Sequence, residues 1–242
     1  MGADGSPGAR SHPWRLSAAQ VFVEDLDAPV LSDADSHHLS RVLRLTDGET
    51  VCASDGRGGW RMCTFTGWAL TPLEEGGKLD RPNPELCVAL AAPKGDRTEW
   101  AVRKLTEVGI DRIVVMETAR SVVRWKGDRA ARQLDKMRRW SLESSRQCRR
   151  LWLPVLEVAS IAEMEGGVLA DAGGRRVSAD DHMILVGPEG GWVNEEREGR
   201  DIVALGENVM RTETAAVVAG AAMANSRLWR DRGDSASIIT QS

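Results

Sequence analysis

The stretch LVGPEGGWVNEE, residues 185–196, decides the fold class of this chain. An apolar run enters it, and one proline and three glycines then fall within five positions: Gly187, Pro188, Glu189, Gly190 and Gly191. This order predicts a buried strand that ends in a tight loop, because glycine accepts positive φ and lets a ligand approach the backbone closely. Asn194 is a predicted helix N-cap. Glu195 and Glu196 suit the first helical turn, which favours a structural role for both carboxylates.

The loop lacks two phosphate-binding patterns. No GK[ST] sequence follows it, as in a P-loop, and it does not match the GxGxxG fingerprint of dinucleotide-binding folds. Because ligands of α/β sheets bind beyond the carboxyl ends of strands, the loop suits an uncharged or zwitterionic ligand held by main-chain groups. A tight turn without a ligand is the alternative, and the loop by itself leaves both open.

Strand and helix patterns alternate on both sides of this loop. Strands are predicted at residues 86–93, 111–118, 166–174, 183–186 and 201–206, and helices at residues 96–109, 128–149 and 212–229. Such alternation is typical of an α/β domain with a mostly parallel sheet.

The first part of the chain has a different pattern. Residues 20–72 contain short β-like runs and one predicted helix that begins at Ser32 or Asp33. The apolar positions at helical spacing in it are Leu39, Val42 and Leu43. The polar segment at residues 72–85 is the predicted linker between the two parts.

A second polar stretch, MRTETAA at residues 210–216, follows the last predicted strand. Arg211 precedes the predicted helix and suits a phosphate or a developing negative charge. Thr212 and Thr214 suit the capping of the helix. Glu213 suits either a general base or the favourable electrostatics of a helix N-terminus, and both remain open.

Positive charge is concentrated in one segment, although the chain as a whole has a net charge of −4. Residues 120–150 contain 11 Lys and Arg but only 3 Asp and Glu, which gives a net charge of about +8. Such a stripe is typical of a polyanion-binding surface, with a solvated helix face as the alternative.

Cysteine usage and hydropathy exclude several classes. Cys52, Cys63, Cys87 and Cys148 form no CxxC pair, so we expect reduced thiols in a cytoplasmic protein and no metal site. No apolar run reaches 18 residues, so we expect no membrane partner. Residues 1–18 lack the apolar core of a signal peptide and are predicted to be a disordered lead-in.

Five stretches together resemble one known family. They are HHLSRVLRLTDGE, KGDRTEWAVRKLTEVGIDRI, RQCRRLWLP, LVGPEGGWVNEE and LGENVMRTETAA, in this order over about residues 20–229. The chain resembles the ribosomal RNA small subunit methyltransferase E family of the SPOUT superfamily. The resemblance implies a PUA-like β-barrel domain at residues 19–75 and a SPOUT domain with a C-terminal deep trefoil knot at residues 84–242.

The resemblance also implies an activity. The family transfers a methyl group from S-adenosyl-L-methionine to N3 of one uridine of 16S rRNA in the assembled small ribosomal subunit, and its members are homodimers. The implied catalytic residues are Arg211 and Glu213. The implied cofactor-binding residues are Leu169, Ala170, Gly187, Pro188, Glu189, Gly190, Gly191, Leu205, Gly206, Met210, Arg211, Thr212, Thr214 and Ala215. The implied RNA contacts are Arg41, Arg44, Lys94, Arg97, Arg120, Arg124, Arg146, Gln147, Arg149 and Arg150.

Three features depart from the family pattern. Asn208 stands where many members have arginine, and Arg146 stands where many have glutamate. The connection at residues 155–182 is short, which affects the edges of the first cofactor loop, expected at residues 169–173. Two other functions stay open: a SPOUT enzyme for another rRNA or tRNA site, and an inactive RNA-binding assembly protein.

Overall fold

The computed structural model describes residues 12–237, with side chains up to residue 230. The chain divides into two compact units. The first unit consists of Met1–Arg81 with Arg146–Trp152, and the second of Pro82–Ser145 with Leu153–Ser242. None of the helices in the described part of the chain is long and apolar enough to cross a membrane.

A four-stranded sheet forms the first unit. Its strands are β1 (Ala19–Phe22), β2 (Thr50–Ser54), β3 (Gly59–Thr66) and β4 (Ala69–Lys78), in the order β1-β2-β3-β4. The β1–β2 pair is parallel, and the other two pairs are antiparallel. The core side chains include Val21, Leu39, Val51 and Phe65, none of which is more than 2% exposed.

The helix of the first unit differs from the predicted one. Helix α2 (Asp33–His37) begins after Ser32, which confirms Ser32 as the N-cap, and it continues as a π-helical turn, His38–Val42. The prediction that Val42 and Leu43 share an apolar face with Leu39 is wrong, because Val42 is 60% and Leu43 44% exposed. The wider π turn rotates successive side chains by a smaller angle, so the later positions leave the buried face.

Residues 1–11, part of the predicted lead-in, lie outside the described residues. The prediction of disorder does not hold for residues 12–18, where helix α1 (Pro13–Leu16) lies. The Trp14 ring stacks on His12 at a centroid distance of 4.3 Å and packs against Trp60 at 4.9 Å. Burial of this indole supplies the apolar contact that a disordered segment lacks.

Six parallel strands form the sheet of the second unit. They are β5 (Cys87–Ala91), β6 (Arg112–Glu117), β7 (Val155–Ser160), β8 (Val168–Arg176), β9 (Met183–Val186) and β10 (Ile202–Ala204), in the order β10-β8-β9-β5-β6-β7. Every pair is parallel, as the alternating pattern predicts. Strands of such a sheet are covered on both faces, and the side chains of β5 are accordingly all buried.

The register between β8 and β10 jumps. Ile202 pairs with Leu169, whereas the next residue, Val203, pairs with Arg175. The residues between Leu169 and Arg175 therefore leave the ladder with β10. This bulge places residues 170–172 at the sheet edge where a ligand is expected.

Four helices accompany this sheet: α3 (Arg97–Val108), α4 (Asp128–Gln147), the short α5 (Asn194–Arg197) and α6 (Thr212–Ser237). Helix α6 contributes Ala216, Ala219 and Met223 to the core of the second unit. At Gly220 of α6, an added Cβ atom would lie 2.9 Å from a methyl carbon of Leu105. Glycine therefore permits the close approach of α6 to α3.

A buried ion pair anchors the C-terminal half of α6. The Arg227 guanidinium contacts the Asp111 carboxylate and donates to the carbonyl oxygens of Pro84 and Gly109, both at 3.0 Å. The side chains of Arg227 and Asp111 are 14% and 7% exposed, and the Leu86 N–H also donates to Asp111. Removing one partner of such a pair leaves an uncompensated buried charge.

We expect Arg227→Met to lower the free energy of unfolding by about 3–5 kcal/mol, because Asp111 would lose its counter-ion. Urea unfolding followed by circular dichroism measures the change. Arg138→Met is the matched control, since Arg138 pairs with Asp135 across an exposed helix face. It should change stability by less than about 1 kcal/mol. Equal effects of the two substitutions would contradict a special role for the Arg227 anchor.

Candidate active site

Three segments at the carboxyl edge of the second sheet enclose a cavity of about 360 Å³. The first is the bulged part of β8, the second follows β9, and the third connects β10 to α6. The lining residues are Ala170, Asp171, Ala172, Val186, Gly187, Pro188, Glu189, Gly191, Trp192, Leu205, Gly206, Glu207, Asn208, Val209, Met210, Arg211, Thr212 and Ala215. A volume of this size lies in the range of small-molecule and cofactor sites.

Side-chain hydrogen bonds to main-chain carbonyls hold the three segments together. The Thr212 hydroxyl donates to the Gly187 carbonyl oxygen at 2.9 Å. The Trp192 indole N–H donates to the Ala170 carbonyl oxygen at 3.1 Å. Both donors are buried, at 3% and 5% exposure, so the bonds are shielded from competing water. The cavity walls are thereby fixed relative to one another.

Two glycines leave the space that the walls need. An added Cβ atom at Gly187 would lie 2.9 Å from the Trp192 ring, so a larger residue would displace the indole. An added Cβ atom at Gly206 would lie 2.9 Å from the Met210 methyl group, inside the lining. The glycine-rich sequence thus serves close packing of the loops as well as access to their backbone.

The charged groups of the cavity differ in their partners. Arg211 is exposed and forms no ion pair with any described residue. Asp171, in contrast, pairs with Arg197. The Glu207 side chain is exposed. Arg211 is therefore a cation at the cavity that is available to a ligand.

Glu213 lies outside this lining. Its side chain is 10% exposed, and its Oε1 is 3.5 Å from the Arg97 Nε. Its Oε2 has no hydrogen-bond partner within the described residues. Arg97 also approaches Glu189 of the glycine-rich loop, at 3.9 Å. Arg97 therefore connects the start of α3 with the start of α6 and with the loop.

Most of the predicted cofactor residues are brought together. Those that line the cavity are Ala170, Gly187, Pro188, Glu189, Gly191, Leu205, Gly206, Met210, Arg211, Thr212 and Ala215. Leu169 is fully buried in the core instead, and Thr214 is exposed outside the lining. Gly190 also lies outside it, and its carbonyl oxygen accepts a hydrogen bond from Arg120 at 2.7 Å.

Seven lining residues were not singled out in advance: Asp171, Ala172, Val186, Trp192, Glu207, Asn208 and Val209. Asp171 and Ala172 lie within the first expected cofactor loop, and residues 207–209 lie between the predicted residues Gly206 and Met210. Val186 and Trp192 flank the glycine-rich loop. Trp192 directly follows the glycine-rich loop, but its hydrogen bond to Ala170 depends on contact between distant segments.

The helix after the glycine-rich loop begins with a different cap than predicted. Asn194 is the first residue of α5, and Val193 is the N-cap. The Glu196 carboxylate accepts the N–H groups of Val193 at 3.1 Å and Ala119 at 2.7 Å. Glu196 therefore has the structural role that the sequence favours.

The predicted RNA contacts fall into two groups. The side chains of Arg41, Arg44, Lys94 and Gln147 are exposed and form no ion pair or hydrogen bond with another described residue. Arg124 pairs with Glu117, and Arg97 with Glu213 and Glu189. Arg146 contacts the buried Asp35 at 2.7 Å, and Arg149 donates to the carbonyl oxygens of Ser17 and Ala18. Arg150 donates to the carbonyl oxygen of Trp152. That these residues contact RNA stays a prediction.

None of the four cysteines forms a disulfide bond. Cys52, Cys63 and Cys87 are buried, and burial raises the pKa of Cys52 and Cys87 to about 12, so both remain thiols at neutral pH. Within the described residues, no group of three potential metal ligands occurs.

Comparisons with known proteins agree with this architecture. Residues 81–224 match the model of an RNA methyltransferase domain, and residues 31–67 match that of an RNA methyltransferase PUA domain. A solved ribosomal RNA small subunit methyltransferase E from Neisseria gonorrhoeae, bound to S-adenosyl methionine, has a TM-score of 0.72 at 24% identity. That match covers 86% of this chain and 97% of the other. A putative methyltransferase from Legionella pneumophila has a TM-score of 0.73 at 22% identity over 86% of this chain and 97% of that one.

Two relatives found by sequence share the name of the solved enzyme from Neisseria gonorrhoeae. The ribosomal RNA small subunit methyltransferase E of Mycobacterium bovis is 30% identical over 233 residues, which cover 81% of this chain and 86% of the relative. The enzyme of that name from Bacillus subtilis is 24% identical and covers 81% and 90%. The matched domains and these relatives show that the chain is an RNA methyltransferase and belongs to the ribosomal RNA small subunit methyltransferase E family.

Proposed function

We propose that this protein transfers a methyl group from S-adenosyl-L-methionine to N3 of one uridine of 16S rRNA in the assembled small ribosomal subunit. The cavity enclosed by the three loop segments, with the unpaired Arg211 beside it, carries this proposal. The names of the relatives support the ribosomal RNA as the substrate class.

The cavity residues fit the cofactor. Ala170, Pro188, Leu205 and Ala215 give the cavity apolar walls that suit the uncharged parts of the molecule. Main-chain groups of the glycine-containing loops suit its polar groups, because no side chain blocks their approach. The exposed carboxylate of Glu207, which forms no ion pair with another described residue, complements a positively charged sulfonium.

Arg211 has a clear chemical task in this reaction. Uracil N3 is a poor nucleophile until it loses its proton, and negative charge then develops on the base. The bound cofactor supplies the electrophilic methyl group. A guanidinium beside the cavity stabilises the developing anion or orients the nucleotide through its two parallel donors.

Glu213 suits two roles, that of a proton acceptor and that of a positioning residue. Its unpartnered Oε2 suits a proton acceptor, but Glu213 lies outside the cavity lining and beside Arg97. We favour a positioning role, in which the Glu213–Arg97–Glu189 contacts hold the glycine-rich loop against the start of α6. The base role is the alternative.

The remaining family features are part of the same proposal. They comprise the deep trefoil knot in the SPOUT domain at residues 84–242, the PUA-like β-barrel at residues 19–75, the homodimer and the cytoplasmic location. The exposed arginines and lysines on the outer side of α4, among them Arg129, Arg132 and Lys136, favour contact with the RNA backbone. The open cavity argues against the inactive assembly protein.

The decisive test uses the purified protein with methyl-labelled cofactor and small subunits from a strain that lacks the gene. We expect label in one uridine of 16S rRNA, at N3, identified by nuclease digestion and mass spectrometry. Transfer to tRNA or to another base would contradict the proposal. Cofactor binding without any transfer would favour the assembly protein.

Filling the cavity should block the cofactor. We expect Ala215→Phe to weaken S-adenosylmethionine binding more than about tenfold, or about 1.4 kcal/mol, because the ring would occupy the cavity. Isothermal titration calorimetry measures the affinity. Ala131→Phe, at an exposed position of α4, is the matched control and should bind normally. Normal binding by both variants would place the cofactor elsewhere.

Arg211 should act in the transition state. We expect Arg211→Ala to lower kcat by about 10²–10³ while the cofactor Kd changes little, because the lost interaction forms as charge develops. Single-turnover methyl transfer to small subunits measures the rate.

Glu213→Gln provides the contrast. If Glu213 is the general base, Glu213→Gln should lower the rate of methyl transfer strongly. It should also remove the acidic limb of the pH–rate profile. A positioning residue would leave that limb in place and weaken cofactor binding instead.

Unchanged turnover in Arg211→Ala would refute the role assigned to the guanidinium.

A further inference from the structure

A shallow cavity on the first unit has no role in the proposed reaction. It has a volume of about 610 Å³ and lies between the π-helical turn and the β3–β4 hairpin. Arg41, Leu45, Phe65 and Trp68 are among its lining residues. Of these four side chains, only Arg41 is among the RNA contacts that the family resemblance implies.

Trp68 presents an aromatic surface at the tip of the hairpin. Its side chain is 58% exposed, although tryptophan is the residue with the most apolar area to bury. The turn below it is fixed, because the Gly67 N–H donates to Asp47 Oδ1 at 2.6 Å and the Gly48 N–H donates to the Phe65 carbonyl oxygen at 2.9 Å. A partner therefore meets an indole on a turn that is already ordered.

The lining of this cavity carries one cation and one carboxylate. Arg41 is exposed and pairs with no acidic group among the described residues. The Asp47 carboxylate keeps its charge and accepts the Gly67 N–H at 2.6 Å. Arg41 is therefore the charged side chain of the lining that is available to an anionic group of a ligand.

The backbone also holds Arg44 in an unusual conformation. Its φ angle is +55°, in the left-handed region that bulky residues rarely occupy. Such strain persists where the surrounding structure enforces it, and it often accompanies function. The π-helical turn that precedes it, His38–Val42, is a second irregular feature of the kind found at functional sites.

We propose that Trp68 stacks on an unpaired nucleobase of the RNA substrate while Arg41 binds an adjoining phosphate. An exposed aromatic ring beside an unpaired arginine is a combination that binds single-stranded RNA, since every base offers a flat face and every linkage a negative charge. The inference rests on the proposed function only in taking RNA as the ligand. A protein of the small subunit is the competing partner.

The test measures the binding of the full-length protein to naked 16S rRNA and to small subunits by filter retention, without methyl transfer. We expect Trp68→Ala and Trp68→Leu each to raise Kd for both ligands about tenfold, and Trp68→Phe to keep it within about twofold, because only an aromatic ring stacks. Trp68 is exposed, so these substitutions should not disturb folding, and Thr66→Ala on the same hairpin is the control.

Salt dependence separates the two side chains. Arg41→Gln should reduce the slope of log Kd against log salt by about one, whereas Trp68→Ala should leave the slope unchanged.

Two results would overturn the stacking subsite. One is an unchanged Kd of Trp68→Ala for naked rRNA. If Trp68→Ala then weakens binding to small subunits alone, the partner of Trp68 is a protein. The other is equal behaviour of the leucine and phenylalanine variants. If the variants show the expected binding pattern but the wild-type protein transfers no methyl group, the proposed function is refuted and the subsite stands.

Discussion

The hydrogen bond from the Thr212 hydroxyl to the Gly187 carbonyl oxygen is the contact on which the candidate site depends. Parallel strands send their loops to the same edge of a sheet, but nothing in that topology keeps the loops at fixed distances. A buried donor at the first position of α6 resolves this, because the carbonyl it satisfies belongs to the glycine-rich loop. The Trp192–Ala170 bond does the same for the bulged strand β8. The cavity is thus preorganised before any ligand enters.

Electrostatic contacts then decide which cations are available to a ligand. Arg97 lies near two carboxylates, Glu213 and Glu189, so its charge is used within the protein. Arg211 lines the same cavity as Glu189 but has no such partner among the described residues. The family resemblance implies an RNA contact for Arg97 and a catalytic role for Arg211, but only their neighbours in space show which charge is used within the protein. This difference supports the positioning contacts proposed for Arg97 and the substrate role proposed for Arg211.

The sequence predicts the elements that depend on local patterns. The parallel sheet, the long helices and the glycine-rich loop follow from periodicity and from residue conformations that a short stretch determines. The register jump in β8 does not, because it depends on pairing with β10, about 30 residues away. The π turn at His38–Val42 is missed for the related reason that a helical pattern does not reveal an added residue per turn. The hydrogen bond between Trp192 and Ala170 in the cavity wall likewise joins segments that are distant in the sequence.

Charge counting shows the same limit. The segment from residue 120 to 150 is strongly basic, yet its last arginines belong to the first unit, where they serve its structure. Arg146 contacts the buried Asp35, and burial lowers the pKa of Arg149, whose guanidinium donates to main-chain carbonyls. A charge held this way contributes less to a polyanion surface than an exposed one, because its field acts mainly on its partner. We therefore expect the salt dependence of the proposed RNA binding to reflect the exposed cations of α4 and Arg41, rather than the total number of basic residues.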